Sequence, residues 1–274
     1  MTYQCPLCHL ALQQTDRTFH CANRHHFDLA KEGYVNLMPA HHKRSKDPGD
    51  NKEMMQARRR FLEGRHYDLM RQKVAQLCQT FLQGSAHRLL DIGCGEGYYT
   101  DQVARSLSAQ YAEATTHGLD ISKVAIRFAA KRYPSSQFCV ASSHRLPFAD
   151  HAFDGILRIY APCKAEELAR CVADNGVVIT VTPAARHLVQ FKENIYSDVK
   201  LHDEEPEQIE GFVLQQQEKL NYMMTLSGAE AFDLLQMTPF AWRASDEFRQ
   251  ALKSAHHFDS EADFMLRVYR KLSQ

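Results

Sequence analysis

An α/β fold, built on a mostly parallel Rossmann-like sheet and preceded by a small zinc-ribbon or knuckle module, is what this sequence of 274 residues predicts. Three observations carry that prediction. Cys5-Pro-Leu-Cys8 followed by Cys21-Ala-Asn-Arg-His25 has the spacing of a metal knuckle. Past residue 84, apolar runs of strand length alternate with helical segments of about a dozen residues, the pattern of right-handed βαβ crossovers. Between the first such strand and its helix stands a glycine-rich turn, Asp91-Ile92-Gly93-Cys94-Gly95-Glu96-Gly97.

The totals are those of an ordinary globular protein with material for a sizeable core, 44% hydrophobic and 24% charged. No apolar run approaches the roughly 20 residues of a membrane helix. The N-terminus shows neither a basic n-region nor an apolar h-region, so a cytoplasmic, non-membrane protein is expected. Of eight cysteines, three cluster with metal spacing and five are scattered singly, which argues for a reducing compartment rather than a disulfide framework. Lys plus Arg equals Asp plus Glu at 33 each. That balance removes the usual charge argument for a nucleic-acid binder, although a local patch decides contact with phosphates. Six of the fifteen histidines precede residue 43.

Taken in order, Leu10 to Gln13 and Arg17 to Cys21 can pair as a hairpin around Gln14-Thr15-Asp16. "MPAHHKRSKDPGDN" (38–51) is nearly free of apolar side chains and closes on the turn signal Asp47-Pro48-Gly49-Asp50, so it reads as a linker. Helical periodicity follows in two stretches, with Met54, Met55, Ala57, Phe61 and Leu62, then Tyr67, Leu69, Met70, Val74, Leu77 and Phe81. Strands are expected over 87–93, 116–121, 136–142, 153–161 and 176–183. Helices are expected over 99–107, 122–133 (capped by Ser122) and 164–173. Beyond Pro183 the pattern loosens: a helix over 186–197, one or two strands over 210–226, a helix over 228–237 and a last strand over 263–272.

A lone Gly-x-Gly-x-Gly is a weak signal, but its companions sharpen it. Asp120 ends the next strand about 20 residues on, where a carboxylate can accept from both hydroxyls of a ribose. The spacing differs from the dinucleotide fingerprint Gly-x-Gly-x-x-Gly, and Asp91 precedes it. Together these resemble motif I of the class I S-adenosylmethionine-dependent methyltransferases, over about residues 85 to 185, with Asp120 as the acidic ribose ligand. The plainer alternative is a packing turn with Asp120 capping a helix. At the front, Cys-x2-Cys-x12-Cys-x3-His offers zinc three thiolates and an imidazole, a saturated set that makes the site structural. His9, His20 and His26 flank it, and the three-residue gap after Cys21 favours His25 as the fourth ligand.

Across nearly its whole length the chain resembles the bacterial 23S ribosomal RNA guanine-N1 methyltransferases, the Gram-negative branch in particular. "CPLC", "FDLAKEGYVNLMP", "KRSKDPGD", "EMMQARRRFL", "DIGCGEGYYT", "LDISKVAI", "ASSHRLPF", "RIYAPCKAEELARCV" and "QMTPFAWRA" carry the resemblance. It implies a zinc-binding RNA-recognition module (1–37), a linker or basic loop (38–51) and a methyltransferase domain (52–274). It also implies a homodimer that methylates guanine in the hairpin 35 loop of 23S RNA. The implied zinc ligands are Cys5, Cys8, Cys21 and His25, and the implied cofactor contacts fall on Tyr67, Gly95, Glu96 and His187, beside Asp91, Gly93 and Asp120. From the residues alone, Tyr67 is a half-buried helix aromatic and His187 a helix-start residue.

Guanine N1 carries a proton that something must accept. Tyr160-Ala161-Pro162-Cys163 stands where nitrogen methyltransferases often carry Asp/Asn-Pro-Pro-Tyr/Phe; Tyr160 replaces the acidic or amide residue that usually makes that motif's amine contact. Tyr160 and His144 are the candidate acceptors, and both also have structural readings. For RNA, His41, His42, Lys43, Arg44 and Lys46 form one positive run and Arg58, Arg59 and Arg60 a second, which alternatively is a solvated face. Trp242 is either a platform for a base or a core residue. Two rival functions stand beside this one. A small-molecule methyltransferase would not need the basic loop, and a non-catalytic RNA-binding protein would tolerate loss of Asp91 or Asp120.

Overall fold

The computed structural model describes residues 3–39, 52–82 and 87–272. The basic run at His41, His42, Lys43, Arg44 and Lys46 therefore lies outside the described residues. Three short strands open the chain: β1 (Gln13–Thr15), β2 (Thr18–His20) and β3 (His26–Asp28), a small antiparallel sheet in that order. The hairpin turn is tighter than expected, because Thr15 pairs with Thr18 and Asp16 takes a left-handed φ of 50°.

The remaining strands are β4 (Val35–Asn36), β5 (Arg88–Ile92), β6 (Thr115–Asp120), β7 (Gln137–Val140), β8 (Phe153–Ile159), β9 (Val172–Pro183), β10 (Phe212–Leu226) and β11 (Phe258–Lys271). They form one eight-stranded sheet in the order β10-β11-β9-β8-β5-β6-β7-β4. The run from β4 to β9 is parallel; β11 and β10 close that edge as an antiparallel pair. Helices α1 (Lys52–Glu63) and α2 (Asp68–Phe81) precede β5, as expected. Then come α3 (Tyr98–Gln110), α4 (Lys123–Arg132), α5 (Ala165–Cys171), α6 (Val189–Ile195), α7 (Gly228–Gln236) and α8 (Asp246–Ser254). Ser122 does cap α4, its hydroxyl accepting from the Ala125 N–H at 3.3 Å. The segment 210–226 resolves into a single long strand, and α8 and the 3-10 turn Pro239–Trp242 are additional elements.

Strands buried on both faces read as unbroken apolar runs, and Leu89, Leu90 and Ile92 are fully buried. Alternation divides them between two faces. Leu89 joins Met70, Val74, Leu77, Val103 and Leu107 of α2 and α3. Leu90 and Ile92 join Phe148, Phe153 and Leu168 together with Tyr3, Cys5, Leu12 and Cys21 of the knuckle. The knuckle is thus packed into the sheet's own core. Tyr3 lies 5.3 Å from both Phe19 and Phe148, and β4 adds Val35 beside Cys139 of β7. Among the described residues no helix is long and apolar enough to cross a membrane.

After β5 the chain adds β6 and β7 on one side, then returns to place β8 on the other. That reversal opens a crevice at the carboxyl ends of β5, β6 and β8, the usual ligand position in such sheets.

Candidate active site

The glycine turn leaves β5 over the end of β6, where Gly93 and Cys94 N–H both donate to the Leu119 carbonyl, at 2.8 and 3.0 Å. Gly93 has φ +71°, and a Cβ there would stand 2.7 Å from the Ala161 Cβ, so the β5 and β8 loops meet too closely for a side chain. Gly95 differs: its φ is +56°, yet nothing lies within 4 Å of the position its Cβ would occupy. Its bare backbone faces open space, as a ligand cradle requires.

Asp120 holds the turn in place. Its Oδ2 accepts from the Gly95 N–H at 3.0 Å and its Oδ1 from the Ser122 N–H at 2.7 Å. Each carboxylate oxygen has a second lone pair, so both can still receive a ligand hydroxyl.

Around this turn is a cavity of about 340 Å³. Its wall brings together six of the seven cofactor candidates, Tyr67, Asp91, Gly93, Gly95, Glu96 and Asp120, and the candidate acceptor Tyr160. Three of these side chains are carboxylates, which suits a cationic ligand such as a sulfonium that also carries an ammonium. With the open cradle at Gly95, the site fits S-adenosylmethionine. Met55, Arg58, Ile121 and Met237 also line the cavity, and sequence reasoning did not single them out for it. Ile121 follows Asp120 directly and was within reach of motif reasoning; Met55 and Met237 come from α1 and the end of α7, brought in by tertiary packing alone.

Asp91 is 2% exposed, and its Oδ2 accepts the Thr100 hydroxyl at 2.7 Å. Burial pushes its pKa up to about 7; the Thr100 bond pulls the other way and the nearby Asp120 charge adds to the rise. A free aspartate titrates near 3.9, so between about pH 4 and pH 7 the folded state holds a proton that the unfolded state has lost. The resulting stabilisation is complete below about pH 4 and disappears as pH rises through 7. Asp91→Asn keeps an acceptor for Thr100 and removes that titration. Denaturant unfolding of the cofactor-free variant at pH 8 is expected to show a gain on the order of 1–4 kcal/mol over wild type, shrinking towards pH 4. Equal pH slopes in the two proteins would overturn this description of the buried carboxyl.

Glu96 is also buried, and burial raises its pKa although Arg59, whose Nε donates to Oε2 at 3.1 Å, pulls it down. Tyr67 packs edge-on against Phe61 and Phe264, at 5.0 and 5.1 Å. His187, the seventh candidate, is buried behind the wall, 6.4 Å from the Tyr67 ring and 6.2 Å from the Tyr160 ring. Its Nδ1 accepts from the Asp263 N–H at 3.2 Å, so Nε2 carries the proton. Burial, then the charges of His202 and Lys192, draw its pKa down to about 3 and keep the ring neutral.

Tyr160 is 47% exposed at the cavity and has a left-handed φ of 55°. An aromatic residue in that region is strained by about 1–3 kcal/mol, a cost often found at functional sites. The structure separates it from the other candidate acceptor. His144 lies on a different hollow of about 110 Å³, between Gln4–His9 of the knuckle and the loop Ser142–Pro147.

The four knuckle side chains converge, their ligand atoms all within 4.8 Å of one another. The His25 Nδ1 is 3.4 Å from the sulfurs of both Cys5 and Cys21, and Cys8 and Cys21 sulfurs are 3.6 Å apart. A tetrahedral zinc with 2.3 Å bonds to sulfur sets S···S near 3.8 Å and S···N a little shorter, so these spacings fit the edges of a zinc tetrahedron. His20 instead contacts the Thr15 hydroxyl through Nε2 at 3.0 Å.

The Arg58–Arg60 run divides by function. Arg60 makes a two-point ion pair with Asp233 at 2.6 and 2.8 Å, Arg59 holds Glu96 and lies over the Phe128 ring, and Arg58 lines the cavity. Trp242 is not a core residue: it is 75% exposed.

A family model described as "RlmA, N-terminal", a zinc ribbon, matches residues 3–46, and one described as "Methyltransferase domain" matches residues 83–228. A Bacillus subtilis protein named for 23S rRNA (guanine-N1)-methyltransferase activity is 30% identical over 270 residues, covering 95% of this chain and 94% of its own length. The 23S rRNA (guanine(748)-N1)-methyltransferase of Streptomyces fradiae is 33% identical over 190 residues, 69% of this chain and 65% of that protein. A Micromonospora griseorubida protein, also named for 23S rRNA (guanine-N1)-methyltransferase activity, is 30% identical over 210 residues, 70% of this chain and 69% of its own. With a zinc ribbon at its front, an S-adenosylmethionine-type cavity in its sheet and near end-to-end similarity to the first of these relatives, the chain belongs to the 23S rRNA (guanine-N1)-methyltransferase family.

Proposed function

We propose that this protein transfers a methyl group from S-adenosylmethionine to N1 of a guanine in the hairpin 35 loop of 23S ribosomal RNA. One observation carries the reading: an acidic, glycine-turned cavity opens at the end of a sheet against which a Cys3His knuckle packs, in a chain similar along 95% of its length to a relative named for 23S rRNA guanine-N1 methylation. Residues 1–37 are assigned to RNA recognition, 38–51 to a basic loop and 52–274 to methyl transfer. The homodimer rests on the family resemblance, and the cytoplasmic setting on the singly scattered cysteines.

S-adenosylmethionine, when bound, supplies a methyl carbon made electrophilic by the neighbouring sulfonium. We assign its site to Tyr67, Asp91, Gly93, Gly95, Glu96, Asp120 and His187. Asp120 would accept from the ribose while keeping its bonds to Gly95 and Ser122. Asp91, once ionised, and Glu96 would offer negative charge to a cationic ligand, and Tyr67 would form an apolar wall that His187 backs. The knuckle, saturated by Cys5, Cys8, Cys21 and His25, would hold zinc as a structural ion.

At guanine, N1 exchanges its hydrogen for the methyl group, and the proton must leave. Of the two candidates, the geometry favours a role for Tyr160, on the cavity wall, over His144, on the separate hollow. A phenol is protonated at neutral pH, and burial of the Tyr160 hydroxyl pushes its pKa higher still, so it is a donor there. Tyr160 therefore suits donation to guanine O6, which draws negative charge off N1 while the proton passes to water. An unpaired loop guanine is the easier base to splay into such a pocket.

The test is to incubate the protein and S-adenosylmethionine with unmodified 23S RNA and map reverse-transcription stops. Methylation at N1 blocks pairing, so a cofactor-dependent stop in the hairpin 35 loop is the expected result. A stop elsewhere would refute the position. No stop anywhere in the RNA, with cofactor bound, would refute the RNA substrate.

A further inference from the structure

We infer that the hollow beside Trp242 is a second base-binding subsite, which takes a nucleobase next to the target guanine when the loop opens. This rests on the RNA-substrate reading above. The hollow is about 170 Å³ and is lined by Glu53, Met54, Gln236, Ala241, Trp242 and Arg249. The same two elements line it and the cofactor cavity: Met54 and Gln236 line the hollow, and the residues that follow them, Met55 and Met237, line the cavity. A base seated at Trp242 would thus be a neighbour of one seated over the cofactor.

The 3-10 turn Pro239–Trp242 presents the indole outward. Ala241 points into the core at 9% exposure, and the next residue, Trp242, is 75% exposed. The Arg249 guanidinium ties the turn down by donating to the Ala241 carbonyl. Its Nε is buried without a hydrogen-bond partner among the described residues. The backbone that carries the indole is therefore held before any ligand arrives.

The chemistry selects a nucleobase over a phosphate. An indole face and a methionine thioether offer a flat, polarizable surface on which any base can stack. The Gln236 amide offers a donor and an acceptor to a base edge. Glu53 would repel a phosphate but can accept from a base N–H. Extruding one base from a loop strips its neighbour of a stacking partner, and a waiting aromatic platform restores that contact.

Trp242 is the sole tryptophan of the chain, so its fluorescence reports on this place alone. The probe is a synthetic hairpin 35 RNA added to protein loaded with S-adenosylhomocysteine. Quenching of the indole is expected to saturate along the same curve as the anisotropy of end-labelled RNA. Trp242→Ala is expected to raise KM for the hairpin by about five-fold or more with kcat and cofactor affinity little changed, and Trp242→Phe to recover part of the loss. A hairpin abasic beside the target should lose as much with wild type and nothing further with Trp242→Ala.

If the hairpin is methylated at N1 but the indole is not quenched and Trp242→Ala has an unchanged KM, the subsite is refuted and the functional reading stands. If wild type methylates no 23S-derived RNA, the functional reading fails and takes the subsite with it. A Trp242 emission that shifts with protein concentration alone would show that a second copy covers this face, which also overturns the inference.

Discussion

Replacing Cys21 with serine is expected to strip the protein of zinc, open residues 3–39 to proteolysis and abolish RNA methylation while leaving cofactor binding in place. Apart from its packing against the large sheet, the knuckle has little secondary structure to hold it. Each of its three strands is three residues long and none is fully buried. Sheets that small do not persist in water by themselves. Structural zinc contributes about 10–16 kcal/mol of apparent binding energy to isolated fingers at neutral pH, and that energy is folding energy. The loss should also reach the sheet, because Tyr3, Cys5, Leu12 and Cys21 fill one apolar cluster with Phe148 and Phe153. A lower unfolding temperature for the whole protein is therefore expected. Cofactor affinity should survive at moderate temperature, since no residue of 3–39 lines the cofactor cavity. Metal content, limited proteolysis and calorimetry with S-adenosylhomocysteine separate these outcomes. A serine variant that keeps stoichiometric zinc and wild-type protease resistance would sink the structural role of the site.

How much of this was legible depended on how local the information was. Leu89 to Ile92 and Val177 to Thr180 are buried on both faces, so they stand out as apolar runs whatever their partners. The core of the site is equally local: Asp91, Gly93, Gly95, Glu96 and Asp120 lie within thirty positions, and their spacing carries the chemistry. Strand β4 is the opposite case, two residues whose strand character exists only because Cys139 and Val140 lie alongside. The first hairpin slipped because Gln13, Gln14 and Thr15 are all exposed, and a strand polar on both faces does not specify its register. The polar run Gln215 to Lys219 blurred β10 for a related reason, since an edge strand in water has no apolar face to mark it. His144 and Tyr160 both follow the ends of strands and looked equivalent in sequence. Strand order separates them: β8 borders β5, whereas β7 lies two strands from it, beside β4 of the knuckle region. For Trp242 the sequence offered a large apolar side chain, and only the packing of Ala241 inward decided that the indole faces out.

Asp120→Ala is expected to weaken cofactor binding by about a hundred-fold or more, with KM for RNA largely preserved. The side chain has two separable duties. It accepts the Gly95 N–H at 3.0 Å and the Ser122 N–H at 2.7 Å, and so holds the cradle at Gly95 open. Under the function proposed above, the carboxylate would also accept from two ribose hydroxyls. A hydrogen bond to a charged group contributes about 1.5–3 kcal/mol, so losing two from the ligand costs about 3–6 kcal/mol even if the turn stays in place. Asp120→Asn distinguishes the duties. Its carbonyl can still accept one backbone N–H and one hydroxyl, but it is neutral and has only one acceptor oxygen, so an intermediate loss is expected. There is a second signature. The Asp120 charge is one cause of the raised pKa of Asp91, the other being burial, so in both variants Asp91 should ionise at a lower pH. The pH dependence of cofactor binding that comes from Asp91 should move down with it. Calorimetric titration with S-adenosylhomocysteine at several pH values reads affinity and shift together. An alanine variant within about three-fold of wild type would mean that Asp120 only braces Ser122 and props the turn, and the ribose would need another partner.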